Sequence, residues 1–185
     1  GEESYNYFLV VVFPDNQMQI LDYNRIVKDL NGKSAREFLQ ALEQRFSVEA
    51  VAGHELARPQ REREFGLYLE GQWYKLMAAE PSSGDRSADP VRHLDVSIMQ
   101  ELILSPLLGI EDQRTDPRVD FVGGIRGLSE LEKRVDSGDW QAALALHPIS
   151  IDSLLAIADA GQIMPPKTTW FEPKLRSGLI VHVLD

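Results

Sequence analysis

Apolar positions along this chain come in short runs whose period changes from segment to segment, with no internal repeat and no heptad pattern. The run YFLVVVF at 7–13 is continuous, β-branched and aromatic, and predicts a central strand. PDNQ at 14–17 reads as a turn and MQIL at 18–21 as a shorter apolar return, so the two segments pair as a hairpin. YNRIVKDLNG then leads to a helix whose start is marked by Ser34 and, three residues on, Glu37, the spacing of a capping box. Phe38, Leu39, Leu42 and Phe46 supply its apolar face. The stretch 47–63 is polar and reads as irregular.

Segments 65–69 and 73–77 predict a hairpin turning through Glu70, Gly71 and Gln72. There, Phe65, Leu67 and Leu69 alternate with Gly66, Tyr68 and Glu70, the mark of a half-covered sheet. A flexible loop is expected at about 79–88, closed by Asp89 as N-cap and Pro90 as first helical residue. Leu94, Ile98, Met99, Leu102 and Ile103 line the next helix, which Ser105-Pro106 should stop or bend. A short helix at 128–135, a buried strand Ala142–Leu146, and a helix begun by Ser150 with Leu154, Leu155 and Ile157 inward complete the middle. LIVHVL at 179–184 closes the chain as a strand. Uneven alternation with early hairpins predicts an α+β fold, a mixed, mainly antiparallel sheet flanked by helices.

Composition narrows the function classes. At 185 residues the sensible count is a single domain over 1–185. The net charge of -10, without a run of Lys or Arg, makes nucleic acid an unlikely partner. The absence of cysteine removes disulfides, thiolate catalysis and cysteine-based metal sites, and fits a cytoplasmic location. No run approaches the ~20 apolar residues of a transmembrane helix. The entry into YFLVVVF almost at once, without an initiating methionine, suggests a piece of a longer protein.

Two clusters carry candidate chemistry. In PPKTTWF at 165–171, Lys167 supplies charge and Thr168 and Thr169 directed hydrogen bonds for a phosphate or carboxylate, with Lys174 and Arg176 extending the basic patch. The alternative is a structural crossover with the prolines setting its path. The second cluster runs from Asp112 to Arg126. Asp112, Arg114, Asp116 and Arg118 most simply form surface ion pairs. The loop carrying Asp120, Gly123, Gly124 and Arg126 can hold an anion through backbone N–H groups and Arg126, or place Asp120 on a cation such as Mg²⁺; the alternative is a structural loop. The VGGIRG glycines are in the wrong order for a dinucleotide site. His147 is an acid–base candidate or a histidine satisfying a local backbone group. His54 and His182 have no ligand-like spacing, and His93 with Asp95 is weak evidence for a metal.

Across essentially all 185 residues, YNYFLVVVFPDNQMQILDYNRIVKDLNG, LDVSIMQELILSPLLGIEDQRTDPRVDFVGGIRG and MPPKTTWFEPKLRSGL resemble the C-terminal part of domain-of-unknown-function family 1015. Members of that family often carry a SpoOJ/ParA/ParB/repB label. The resemblance implies a longer full protein whose N-terminal half bears an Asp-Gly-His-His-Arg-Tyr-type motif, absent here. It singles out Asp120 through Gly124 with Arg126, and Pro165 through Phe171 with Lys174. Its gene neighbourhood beside serine biosynthesis implies a phosphorylated amino acid or related small molecule. Two readings follow. Either the chain contributes to a small-anion site of a metabolic enzyme, with the missing half as partner, or it is a packing or dimerisation module for that half, which leaves homo-oligomerisation open.

Overall fold

The computed structural model describes residues 3–79 and 89–184. Its frame is a six-stranded sheet in the order β3–β5–β4–β7–β2–β6, every pairing antiparallel. The strands are β2 (Tyr23–Val27), β3 (Phe46–Val51), β4 (Glu64–Leu69), β5 (Gln72–Ala78), β6 (Val119–Gly123) and β7 (Ala142–Leu146). A separate two-stranded ladder joins β1 (Gln19–Leu21) to β8 (Trp170–Glu172), with Leu21 opposite Trp170. The α+β class expected from the pattern is what the chain adopts.

Both faces of the sheet are covered. On one, α1 (Ala35–Glu43) and the helical run Asp95–Leu108 pack Phe38, Leu42, Met99, Ile103 and Leu108 onto Phe65, Leu67, Leu76 and Leu144. On the other, α2 (His54–Ala57) and α5 (Ser129–Asp136) bring Ala57, Leu131 and Val135 onto Ile26, Tyr68, Trp73 and Ala143. The hairpin β4–β5 is as expected, but β4 is buried at every position, because its Tyr68 side meets α5 instead of water. Helix α1 begins as expected: Ser34 Oγ accepts from the Glu37 N–H while Glu37 returns a bond to the Ser34 N–H.

Several expectations are corrected. Residues 7–13 form no strand and stay mostly exposed, as do 179–184; a strand is stable only where another lies alongside, and neither segment has one among the described residues. The central strand on that side of the sequence is β2, whose Asn24 and Arg25 interrupt the apolar run. Residues 46–51 are a strand, not irregular chain, and Phe46 belongs to it rather than to α1. Ser105-Pro106 does not end its helix. A π-helical stretch, Gln100–Leu104, lies between α3 (Asp95–Met99) and α4 (Ser105–Leu108), and Gly109 in the left-handed region terminates it. The helix after Asp89-Pro90 begins only at Asp95; Asp89 accepts instead from the Arg92 N–H in a preceding turn. In α6 (Ile151–Asp159) Ile157 is buried but Leu155 is exposed. The loop expected at 79–88 lies outside the described residues from position 80 onward.

Candidate ligand-binding site

Strand β2 enters the sheet at Tyr23, and β8, in the separate ladder, begins at Trp170; the two rings meet with centroids 5.5 Å apart. Phe121 of β6 closes on the other side of Tyr23 at 6.0 Å, edge to face. This aromatic wall is possible because Gly123, opposite Tyr23 in the ladder, has no side chain: a Cβ there would sit 2.2 Å from Trp170 Cε3. Gly124 allows an equally close approach, since a Cβ would lie 2.1 Å from Asp22 Oδ1 and its N–H donates to the Asp22 carbonyl at 2.8 Å. The two glycines therefore act by making room for Trp170 and Asp22.

The polar part of the site comes from the turn at 165–168. Thr168 Oγ1 donates to the Pro165 carbonyl at 2.5 Å, and Lys167 sits at φ 56, so the turn projects a lysine from a backbone conformation that few side chains adopt. Lys167 Nζ lies 5.7 Å from the Tyr23 ring and Lys174 Nζ 4.7 Å from the Trp170 ring. Both side chains are exposed, and neither ammonium forms an ion pair among the described residues. Tyr23, Pro165, Lys167, Thr168, Trp170 and Lys174, with Thr169, line one open cavity of ≈ 520 Å³. Pro165, Lys167, Thr168, Thr169, Trp170 and Lys174 of the first sequence cluster are thus brought together around a single concavity, which Arg176 does not line, with one further aromatic face, Tyr23, that sequence reading did not join to it.

The second cluster divides. Phe121 and Gly123 share the Tyr23 side of β6, whereas Asp120, opposite Ile26, faces α5. There Arg134 approaches Asp120 at 3.4 Å and Glu130 at 2.9 Å, and Arg126 lies 3.6 Å from Glu130. Arg126 and Asp120 are thus joined in an ion-pair chain along α5, with Asp120 on the opposite side of the sheet from Tyr23. Among the described residues no group of three His, Cys, Asp or Glu is placed to hold a metal. Asp112 pairs with Arg114 and Asp116 with Arg118, each at 2.7 Å, as the surface ion-pair reading expects. Each arginine, by its hydrogen bonds, holds its carboxyl below the usual carboxylate range, Asp112 to about 2.

The histidines are dispersed. His54 Nδ1 lies 3.0 Å from Glu132, and His182 Nε2 2.8 Å from the Ser4 carbonyl. His93, Asp95, His147, Asp152 and Ser153 border a second cavity of ≈ 340 Å³, which Thr168 also lines.

One residue behind the Tyr23 wall gave little sign in the sequence. Arg25 is fully buried in β2. Its Nε donates to Gln113 Oε1 at 2.7 Å, its Nη1 to the Tyr23 carbonyl, and its guanidinium lies 4.7 Å from the Phe121 ring. Gln113 in turn donates to Gln100 Oε1 at 2.8 Å. Nη2 has no hydrogen-bond partner, and no carboxylate pairs with the group among the described residues. The only available signal was an arginine set inside the apolar pattern YNRIV.

Comparison with known families matches residues 1–97 to a family described as "Protein of unknown function (DUF1015)". No curated protein matches. Among solved structures, a mutant of free serine kinase in complex with AMP is similar at TM-score 0.51 and 11% identity, over 84% of this chain and 55% of that one. The free serine kinase in complex with AMP is similar at TM-score 0.50 and 11% identity, over 88% of this chain and 57% of that one. The fold is shared, and this chain spans little more than half the length of those proteins.

Proposed function

Because this chain belongs to the DUF1015 family, whose function is unknown, we propose its role from the site itself: it holds a small phosphate- or carboxylate-bearing ligand for a metabolic enzyme whose reactive groups lie outside these 185 residues. The observation that carries this is the convergence of Lys167, Thr168, Thr169 and Lys174 on one cavity, with both ammonium groups free of ion pairs among the described residues. Two mobile cations and two hydroxyls match the charge and acceptor oxygens of such an anion, and Tyr23 and Trp170 offer apolar faces to the rest of the ligand. A site of this composition binds and orients.

The kinase neighbour supports the choice of ligands for the test, since its described complex contains AMP. Inorganic phosphate, phosphoserine and AMP, each with and without Mg²⁺, are added to the 185-residue chain and its melting is followed. A ligand at a hundred times its Kd raises Tm by about 5–10 °C for a domain of this size. Lys167→Ala should abolish the rise without changing Tm in plain buffer. A full set of ligands with no shift sinks the reading.

A second reading, a module that packs against another lobe, is favoured by a different observation. Tyr7, Phe8, Leu9, Val10, Val11 and Val12 are each at least half exposed, as are Leu179, Ile180, Val181, Val183 and Leu184. Side chains of this kind gathered at the surface mark a contact face. The two readings are compatible, since Lys174 also lines the concavity formed by Val11, Val12, Phe13 and Phe171.

A further inference from the structure

Arg25 stands out among the buried groups of this molecule. Buried Asn24, Glu64 and Asp95 each have partners: Asn24 bonds the Leu146 N–H and Asp22, Glu64 receives the Gln60 N–H and Arg61, and Asp95 accepts from the Arg63 N–H. Arg25 alone among these four carries a full charge with no opposite charge against it and one nitrogen unbonded. Burying a lone cation is costly, and a buried arginine is ordinarily retained with a carboxylate. Burial draws the guanidinium down to about 9, partly offset by Tyr23, so at neutral pH it remains charged. The Phe121 face and the two glutamines soften the cost but supply no counter-charge.

The position of Arg25 relative to the cavity is what gives this charge a use. Tyr23, whose carbonyl accepts from Arg25, is itself a wall of the cavity that Lys167 and Lys174 overlook. A charge set behind that wall acts on the cavity through protein and not through water, so it is weakly screened. We propose that Arg25 is the buried part of the anion site, its counter-charge being the bound ligand, and that the site therefore selects a doubly charged phosphate monoester over a monocarboxylate. This rests on the proposed ligand site and names its ligand class. Three cations, one fixed and two mobile, balance a dianion better than a monoanion. Arg25 does not touch the ligand; it positions Tyr23 and sets the field.

The test compares inorganic phosphate with acetate by calorimetry and by melting, on the wild-type chain and on Arg25→Met, Arg25→Lys and Lys167→Ala. Wild type should prefer phosphate. Arg25→Met should weaken phosphate binding by roughly tenfold or more, leave acetate binding little changed, and melt in phosphate-free buffer no lower than wild type. Arg25→Lys should restore the preference in part. A purely structural arginine would lower Tm with or without phosphate, and that outcome overturns the proposal. So does an Arg25→Met protein that keeps its phosphate preference while Lys167→Ala loses it, which spares the ligand site itself. Loss of binding by wild type would remove both. If the methionine variant does not fold, the guanidinium nitrogen resonances of Arg25 in wild type decide: phosphate should shift them and acetate should not, and resonances that ignore phosphate reject the idea.

Discussion

Tyr68 holds its proton further into the alkaline range than a free phenol. Burial is the larger cause, and the hydrogen bond from its hydroxyl to Asp136 at 2.9 Å adds to it, with Asp136 and Glu132 disfavouring a second negative charge; together they push the group up to about 12. An unfolded tyrosine titrates near 10, so the stability this group contributes is complete below pH ~10 and is lost as pH rises through the folded value. Denaturant titrations at pH 8, 10 and 11.5 should show wild type losing stability over that window relative to Tyr68→Phe; parallel losses would mean that neither burial nor Asp136 raises this phenol in the folded chain. The same helix receives Trp73 Nε1 and His54 on Glu132, whose carboxyl is held below the usual range by those bonds against the opposing effect of burial. None of these partners was legible in the sequence. A side-chain hydrogen bond between residues 68 and 136 leaves no local pattern, whereas the Asp112–Arg114 and Asp116–Arg118 pairs, two residues apart, could be read directly.

At the level of elements, local chemistry was readable and pairing was not. The capping box, the hairpin through Gly71 and the strand Ala142–Leu146 each declare themselves within a few residues. Removing the cap tests the first: Ser34→Ala should cost about 1 kcal/mol, a fall in Tm of about 2–4 °C. An unchanged Tm would show that tertiary packing of Phe38 and Leu42, not the cap, fixes the start of α1. The misread elements have a common cause. β2 was hidden because Asn24 and Arg25 are buried polar residues whose side-chain partners, the Leu146 N–H and Gln113, lie far along the chain. β3 was hidden because, as an edge strand, it turns Ser47, Glu49 and Ala50 outward. The two strongest strand patterns failed for the opposite reason: residues 7–13 and 179–184 have the composition of strands but, among the described residues, no neighbouring strand to pair with. Of the candidate site, the turn around Lys167 was readable from its prolines and hydroxyls, while the Tyr23 wall and Arg25 depend on register across the sheet.

For the molecule as a whole, the exposed apolar runs are the part of its surface with most to gain from a partner. Each large side chain among them would gain roughly 1.5–3 kcal/mol on full burial, so an interface that covered even a few would be substantial. If that face associates between copies of this chain, scattering should reveal concentration-dependent growth in mass that is suppressed in Val10→Ser with Val12→Ser. Monomers at every concentration in wild type would exclude self-association and leave another lobe as its occupant. The serine variants should leave phosphate binding intact, since neither residue lines the Lys167 cavity.

The β1–β8 ladder sets the order in which this surface and the cavity come into being. Leu21 and Trp170 lie near opposite ends of the chain yet pair directly, and the cavity draws Tyr23 from one side and Lys167 from the other. Bringing such distant segments together is the slowest kind of contact to form, because loop closure must be met before any pairing rewards it. During synthesis the hairpin β4–β5 emerges well before β8, so the cavity cannot close until the segment around Lys167 and Trp170 has left the ribosome. Competence of the proposed site is therefore a late event in the folding of each molecule, acquired only when the two distant segments have met.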